Sequence, residues 1–305
     1  MTSSLLDVDD LDPARLRALL DNAIAWKDDP TLVPDPLAGH AVAALFEKPS
    51  ARTRISIEVA VSTLGGLPIY VREEEVGLDR RETVEDVART MAGMCRAIAA
   101  RVFRHETLER MVAAVDVPVV NLLSDRAHPC QALADLLTIR EHFGDVEGRR
   151  VAFVGDGNNV AASLAFASAL SGMELVVAAP DGYELDAVIV DRARNLGGIV
   201  ERAGNPHDAV RDADVVYTDV WTSMGQETER EQRLRAFDGW TIDAALMKTA
   251  PDHAVFMHCL PAHRGEEVTA EVIDGPRSLV WAQAANRMDS ARALLVDLLS
   301  TTGAS

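Results

Sequence analysis

Cysteine is scarce in this chain of 305 residues, where Cys95, Cys130 and Cys259 are the only three. Three scattered thiols cannot build a disulfide framework, so the fold must rest on its hydrophobic core. Basic charge is also short: 30 Lys and Arg face 48 Asp and Glu, a net charge of −18. A field of that sign repels polyanions, which excludes nucleic acid and anionic membrane surfaces as natural partners. No apolar run approaches the ~18 residues that cross a bilayer, and the acidic start MTSSLLDVDD lacks the basic and apolar regions of a secretion signal. The expectation is a cytoplasmic protein whose anionic ligands, if any, are held by local positive groups.

Length points to two domains of ordinary size. In the first half, AVAALF (41–46), PIYV (68–71), AIAARV (97–102) and PVVNLL (118–123) are short apolar runs separated by amphipathic stretches long enough for crossover helices. That spacing is the mark of βαβ units and a mostly parallel sheet. Polar residues 141–150 interrupt it. A second series follows with VAFV (151–154), ELVVAA (174–179), DVVYTD (214–219) and AVFMHC (254–259). The expected architecture is α/β, two doubly wound parallel-sheet domains joined by helices. One spans 1–145 and is rejoined by a C-terminal helix at 284–305; the other spans 146–283.

Open parallel sheets bind ligands beyond the carboxyl ends of their strands, so the residues that follow each run carry the most information. After the first comes FEKPSARTRIS, in which Ser50 is placed to cap a helix over 52–64. The unpaired N–H groups and positive dipole end of such a helix favour an oxyanion, and Arg52 and Arg54 add charge. The alternative is a capped surface helix with two solvated arginines. Arg101 ends the third run, either as a salt-bridged side chain or as a second positive group. His128 and Gln131 follow the fourth run in HPCQ, with His128 either donating to a carbonyl oxygen or closing a turn.

In the second half, GDGNNV (155–160) invites a dinucleotide reading, but Val160 replaces the third glycine and no acidic residue tips the next strand. Asn158 or Asn159 is instead a polar contact to a smaller ligand. Asp219, opening DVWTSMGQE, suits an ammonium group. Cys259, in HCLPAHRGEE, is either a polarised thiol or a small core residue. A zinc site drawn from His128, Cys130, His258, Cys259 and His263 is disfavoured, because neighbours on a strand point to opposite faces.

Together, FEKPSARTR, ARVFRHETL, HPCQALADLLT, VGDGNNVA, DVWTSMGQE, HCLPAHRGEEV and ANR at 285–287 resemble the aspartate/ornithine carbamoyltransferase family nearly end to end, and its ornithine members in particular. The resemblance implies transfer of a carbamoyl group from carbamoyl phosphate to the side-chain amine of L-ornithine, without metal or cofactor, by a homotrimer or multiple of trimers that shares its active sites between neighbours. It assigns Ser50, Ala51, Arg52, Thr53, Arg101, His128, Gln131, Cys259, Leu260 and Arg287 to carbamoyl phosphate. Asn159, Asp219, Ser223 and Met224 fall to ornithine, and Arg101, His128, Asp219 and Cys259 to catalysis. Three positions depart from the family pattern: Ala51 for threonine, Ala285 for glutamate, and Gly77 for a glutamine that reaches a neighbouring subunit, for which Arg80 or Arg81 is a candidate substitute. A carbamoyltransferase for a different amine and a non-catalytic ligand-binding paralogue are the alternatives.

Overall fold

A computed structural model describes residues 4–222 and 227–301. It contains two compact units, one formed by residues up to Leu137 together with those from Ala285, the other by Thr138–Ala284. Among the described residues no helix is long and apolar enough to cross a membrane.

The first unit is built on strands β1 (Ala41–Phe46), β2 (Leu67–Arg72), β3 (Ala97–Arg101) and β4 (Val119–Leu123), in the spatial order β2-β1-β3-β4. All pairs are parallel. The central strands β1 and β3 are buried nearly throughout, as their continuous apolar sequences require. Leu45, Ile98, Val87, Met91, Leu108 and Met111 interlock on one face of this sheet, each contributing ~1.5–3 kcal/mol by leaving water. Asp12 caps the helix Pro13–Asp28, with Pro13 at its first position where no N–H is lost. Ser50 caps the helix Ala51–Thr63 by accepting from the Thr53 N–H at 3.4 Å.

The second unit carries β5 (Arg150–Val154), β6 (Glu174–Ala178), β7 (Ile199–Ala203), β8 (Val215–Thr218) and β9 (Val255–His258), ordered β7-β6-β5-β8-β9 and again parallel. Sequence periodicity does not find β7. Its IVERA buries only Val200 fully, and its charged residues belong to an edge strand rather than a core run. Asn158 caps the helix Asn159–Ser171, which is almost wholly buried. The turn before it needs Gly157, since a Cβ there would lie 2.2 Å from the Leu185 nitrogen. Close backbone packing against Leu185 accounts for that glycine.

The division between units falls inside the helices Pro129–Phe143 and Val280–Thr301. The first continues helical into the polar stretch expected to part the domains, and the last helix starts at Val280, ahead of the expected 284.

Candidate active site

Each sheet reverses its winding once: the chain steps outward from β1 to β2, then crosses back to β3, and likewise from β5 to β7 before crossing to β8. Those two switch points are where open sheets form crevices. Each carries one cluster of the expected residues.

In the first unit, Phe46 pairs with Arg101 in register, so the Arg101 side chain leaves the sheet beside the start of the helix Ala51–Thr63. The Thr53 hydroxyl is the hub. It receives Arg101 Nη1 at 3.3 Å, Arg287 Nη2 at 2.8 Å and the Ser50 hydroxyl at 3.0 Å. Arg287 Nη1 also donates to Gln131 Oε1, and Gln131 Nε2 donates to Asp135 Oδ1 at 2.8 Å. Thr53, Arg101, His128, Gln131 and Arg287 are all at least nine-tenths buried. Two guanidinium groups so enclosed are tolerated only where anionic or strongly accepting groups meet them.

His128 precedes the helix Pro129–Phe143, and its carbonyl accepts from the Gln131 N–H at 3.0 Å. Burial, reinforced by the Arg287 and Arg101 charges, drives its imidazole well below the ordinary histidine range, so it stays neutral at pH 7. Arg52 sits half-buried in the first helical turn. Arg54 instead stacks over the Tyr70 ring at 3.9 Å and pairs with Glu58 at 2.8 Å, the surface role open to it. Cys130 donates to the Asn121 carbonyl at 3.4 Å, and burial pushes its thiol up to about 12, as for an unreactive core cysteine.

In the second unit, Thr218 pairs with His258 across β8 and β9, so Asp219 and Cys259 emerge side by side. Cys259 Sγ donates to Asp219 Oδ1 at 2.9 Å; the other carboxylate oxygen receives Asn158 Nδ2 at 2.8 Å. Both residues are buried. Asn158 thus caps its helix with one side-chain atom and holds Asp219 with the other, while Asn159 is the first helical residue. Ser223 and Met224 lie outside the described residues.

The alternation argument against a shared ion at His258 and Cys259 does not hold. The strand ends at His258 and the chain turns through Leu260 at φ 57°, leaving donor atoms of Asp219, His258 and Cys259 within 4.8 Å of one another. Each is already engaged, however: His258 Nδ1 accepts from the Leu260 N–H at 2.8 Å, and Nε2 donates to Glu267 Oε1 at 3.1 Å. Sequence reasoning also missed Arg233, a buried cation joined to Asp156 Oδ2 at 2.9 Å and to the Trp221 carbonyl at 3.1 Å. Burial raises the Asp156 carboxyl even against that partner.

Two of the three departures from the family pattern, Gly77 and Ala285, have a visible structural setting. Gly77 lies at φ 62°, and a Cβ there would meet Arg81 Cβ at 3.0 Å, so a residue with a side chain would be strained in this turn. Arg80 is bound by Glu73, whereas the exposed Arg81 donates, among the described residues, to the Glu75 carbonyl at 3.3 Å. Ala285 is exposed on its helix, and Arg287 is oriented by Gln131 and Thr53 instead.

Comparison with known proteins matches the two halves separately. The family "Aspartate/ornithine carbamoyltransferase, carbamoyl-P binding domain" covers residues 3–141, and its "Asp/Orn binding domain" covers 147–298. An ornithine carbamoyltransferase of Acidothermus cellulolyticus is 49% identical over 308 residues, 99% of this chain and 98% of that protein. The crystal structure of the Thermus thermophilus ornithine carbamoyltransferase aligns with a TM-score of 0.90 at 46% identity, over 98% of this chain and 99% of the other. The solved structure of the Pyrococcus furiosus ornithine carbamoyltransferase gives a TM-score of 0.92 at 44% identity, over 97% of this chain and 96% of the other.

Proposed function

This chain belongs to the aspartate/ornithine carbamoyltransferase family, and on that premise we propose that its two clusters divide the substrates by charge, the first taking carbamoyl phosphate and the second L-ornithine. The protein transfers the carbamoyl group of carbamoyl phosphate to the side-chain amine of L-ornithine, releasing L-citrulline and phosphate. The observation that carries the assignment of clusters is the convergence of Arg101 and Arg287 on the Thr53 hydroxyl at a helix N-terminus. Such a nest of guanidinium and main-chain N–H groups suits a small dianion.

In this reading Ser50, Ala51, Arg52 and Thr53 hold the phosphate, largely through backbone N–H groups, with Arg287 adding charge. Arg101, His128 and Thr53 donate to the carbamoyl oxygen, Gln131 orients the group, and neutral His128 can donate without adding a buried charge. Asp219 and Asn159, with Ser223 and Met224, take ornithine. Its amine must lose a proton before it can attack; with a pKa near 10.4, that costs ~4.6 kcal/mol at pH 7. Asp219 and Cys259 orient the amine and accept hydrogen bonds as the proton leaves, with Leu260 beside them. The C–N bond then forms, the C–O bond to phosphate breaks, the surplus proton of the attacking nitrogen passes to the leaving phosphate oxygen, and the arginines stabilise the departing hydrogen phosphate dianion. No covalent intermediate is required.

We place the protein in the cytoplasm, in arginine biosynthesis, as a trimer or a multiple of trimers. Ile55 and Val59 on the helix Ala51–Thr63, with Leu67 and Ile69 on the edge strand β2, are between 39% and 62% exposed. Four such side chains beside a sheet edge favour self-association, and light scattering that returned a monomer would contradict it. The decisive assay is citrulline formation over a panel of amines. Product with ornithine alone is expected; product only with another amine, or with none, would favour the alternative enzyme or the non-catalytic paralogue.

A further inference from the structure

Behind the Cys259 turn, the carboxylate of Glu267 is fully enclosed. Its Oε1 receives His258 Nε2 at 3.1 Å and the His263 N–H at 2.5 Å. Its Oε2 is equally buried and, among the described residues, has no hydrogen-bond partner. Leaving such an oxygen unsatisfied is costly, and more so for a charged group. His263 Nδ1 lies 3.8 Å from it, too far for a hydrogen bond, and 4.0 Å from Glu266 Oε2. The three donor atoms fall within 4.8 Å of one another.

From this geometry we propose that His263, Glu266 and Glu267 form a binding site for a divalent transition-metal ion. The inference is independent of the carbamoyl transfer chemistry. Zinc-like ions take nitrogen and carboxylate oxygen at ~2.0–2.2 Å, so two ligands on one ion stand ~3–4 Å apart, and His263 Nδ1 stands 3.8 Å and 4.0 Å from the two carboxylates. One imidazole and two carboxylates suit Zn²⁺ or Co²⁺ better than an oxygen-seeking ion such as Ca²⁺. The outer contacts are those that orient metal ligands: His258 fixes the far oxygen of Glu267, and Arg230 fixes that of Glu266. The neighbouring Asp219, His258 and Cys259 are the poorer choice, because an ion there would displace the thiol from Asp219 and break both imidazole bonds.

Co²⁺ is the probe. Titrated into the wild-type protein, it should give visible ligand-field absorption without a near-ultraviolet thiolate-to-cobalt band, and raise the thermal unfolding midpoint by several degrees. His263→Ala and Glu266→Gln, both at accessible positions, should each weaken binding at least tenfold, while Cys259→Ser binds as wild type. Absence of the visible bands would overturn the proposal, as would undiminished affinity in His263→Ala. A charge-transfer band that disappears in Cys259→Ser would overturn it too, by moving the ion to the thiol.

Discussion

The two sheets solve the same architectural problem and reach opposite chemistry. Both are parallel, both reverse their winding once, and at each reversal a capped helix starts beside the tip of a central strand. In the first unit that tip presents Arg101, and a second guanidinium meets it at Thr53. In the second it presents Asp219, held by an amide and a thiol. Backbone geometry alone gives both places an affinity for negative charge, through exposed helix N–H groups. The side chains then decide. Arginines reinforce that affinity, while the Asp219 carboxylate opposes it, and the Asn158 cap also donates to that acid. A chain with a net charge of −18 can therefore bind a dianion, provided the positive groups are local and enclosed.

The contrast breaks most sharply at Arg101. Truncating one member of a buried charged network costs ~2–5 kcal/mol, so Arg101→Ala should lower kcat/KM for carbamoyl phosphate by roughly thirtyfold to several thousandfold. Arg52→Ala should fall in the same direction, and an unchanged rate and Michaelis constant in steady-state assays would remove the phosphate assignment. Asp219→Asn keeps the shape and removes the charge. It should cost ~1.5–3 kcal/mol in kcat/KM for ornithine, with carbamoyl phosphate affinity intact; equal damage to both substrates would erase the distinction between clusters. Cys259→Ser should lower turnover or ornithine affinity by about tenfold, since the hydroxyl preserves a donor to Asp219 but not the softness or reach of sulfur; harm confined to phosphate binding would contradict its role.

Acid sharpens the comparison differently. The His128 imidazole is held well below its ordinary value by burial and by two neighbouring guanidiniums. Below about pH 6.5 the unfolded chain takes up a proton there that the folded chain refuses, so stability should fall as pH drops from 6.5. Chemical denaturation of wild type and His128→Asn at pH 7.5 and 5.5 isolates this contribution: the wild type should lose more on acidification, and parallel losses would refute it. The smallest effect is expected in the Gly77 loop. Arg80→Ala should be silent, because Glu73 already holds that side chain, whereas Arg81→Ala should raise the carbamoyl phosphate KM a few-fold if it substitutes for the absent glutamine. Wild-type kinetics in both would end that idea.

How much of this was legible in sequence depends on whether a signal is local. AVAALF, buried on both sides, matched its strand residue for residue, and Ser50 caps its helix as read, because apolar runs and capping residues act over a few positions. The strand β7 was hidden by the charges that protect its edge. Asn158 was separable from Asn159 only once the cap geometry was known. Arg233 gave no sign, since a buried arginine looks like a surface one until Asp156, far away in sequence, is seen beside it. The closeness of Asp219 and Cys259 likewise follows from strand order and register, which periodicity does not contain.

The division of substrates by charge is tested most directly by titrating carbamoyl phosphate, with no ornithine present, into wild-type, Arg101→Ala and Asp219→Asn proteins by calorimetry. Wild type and Asp219→Asn should bind with the same affinity while Arg101→Ala loses binding. Tight binding by Arg101→Ala, or loss in Asp219→Asn, would contradict the account.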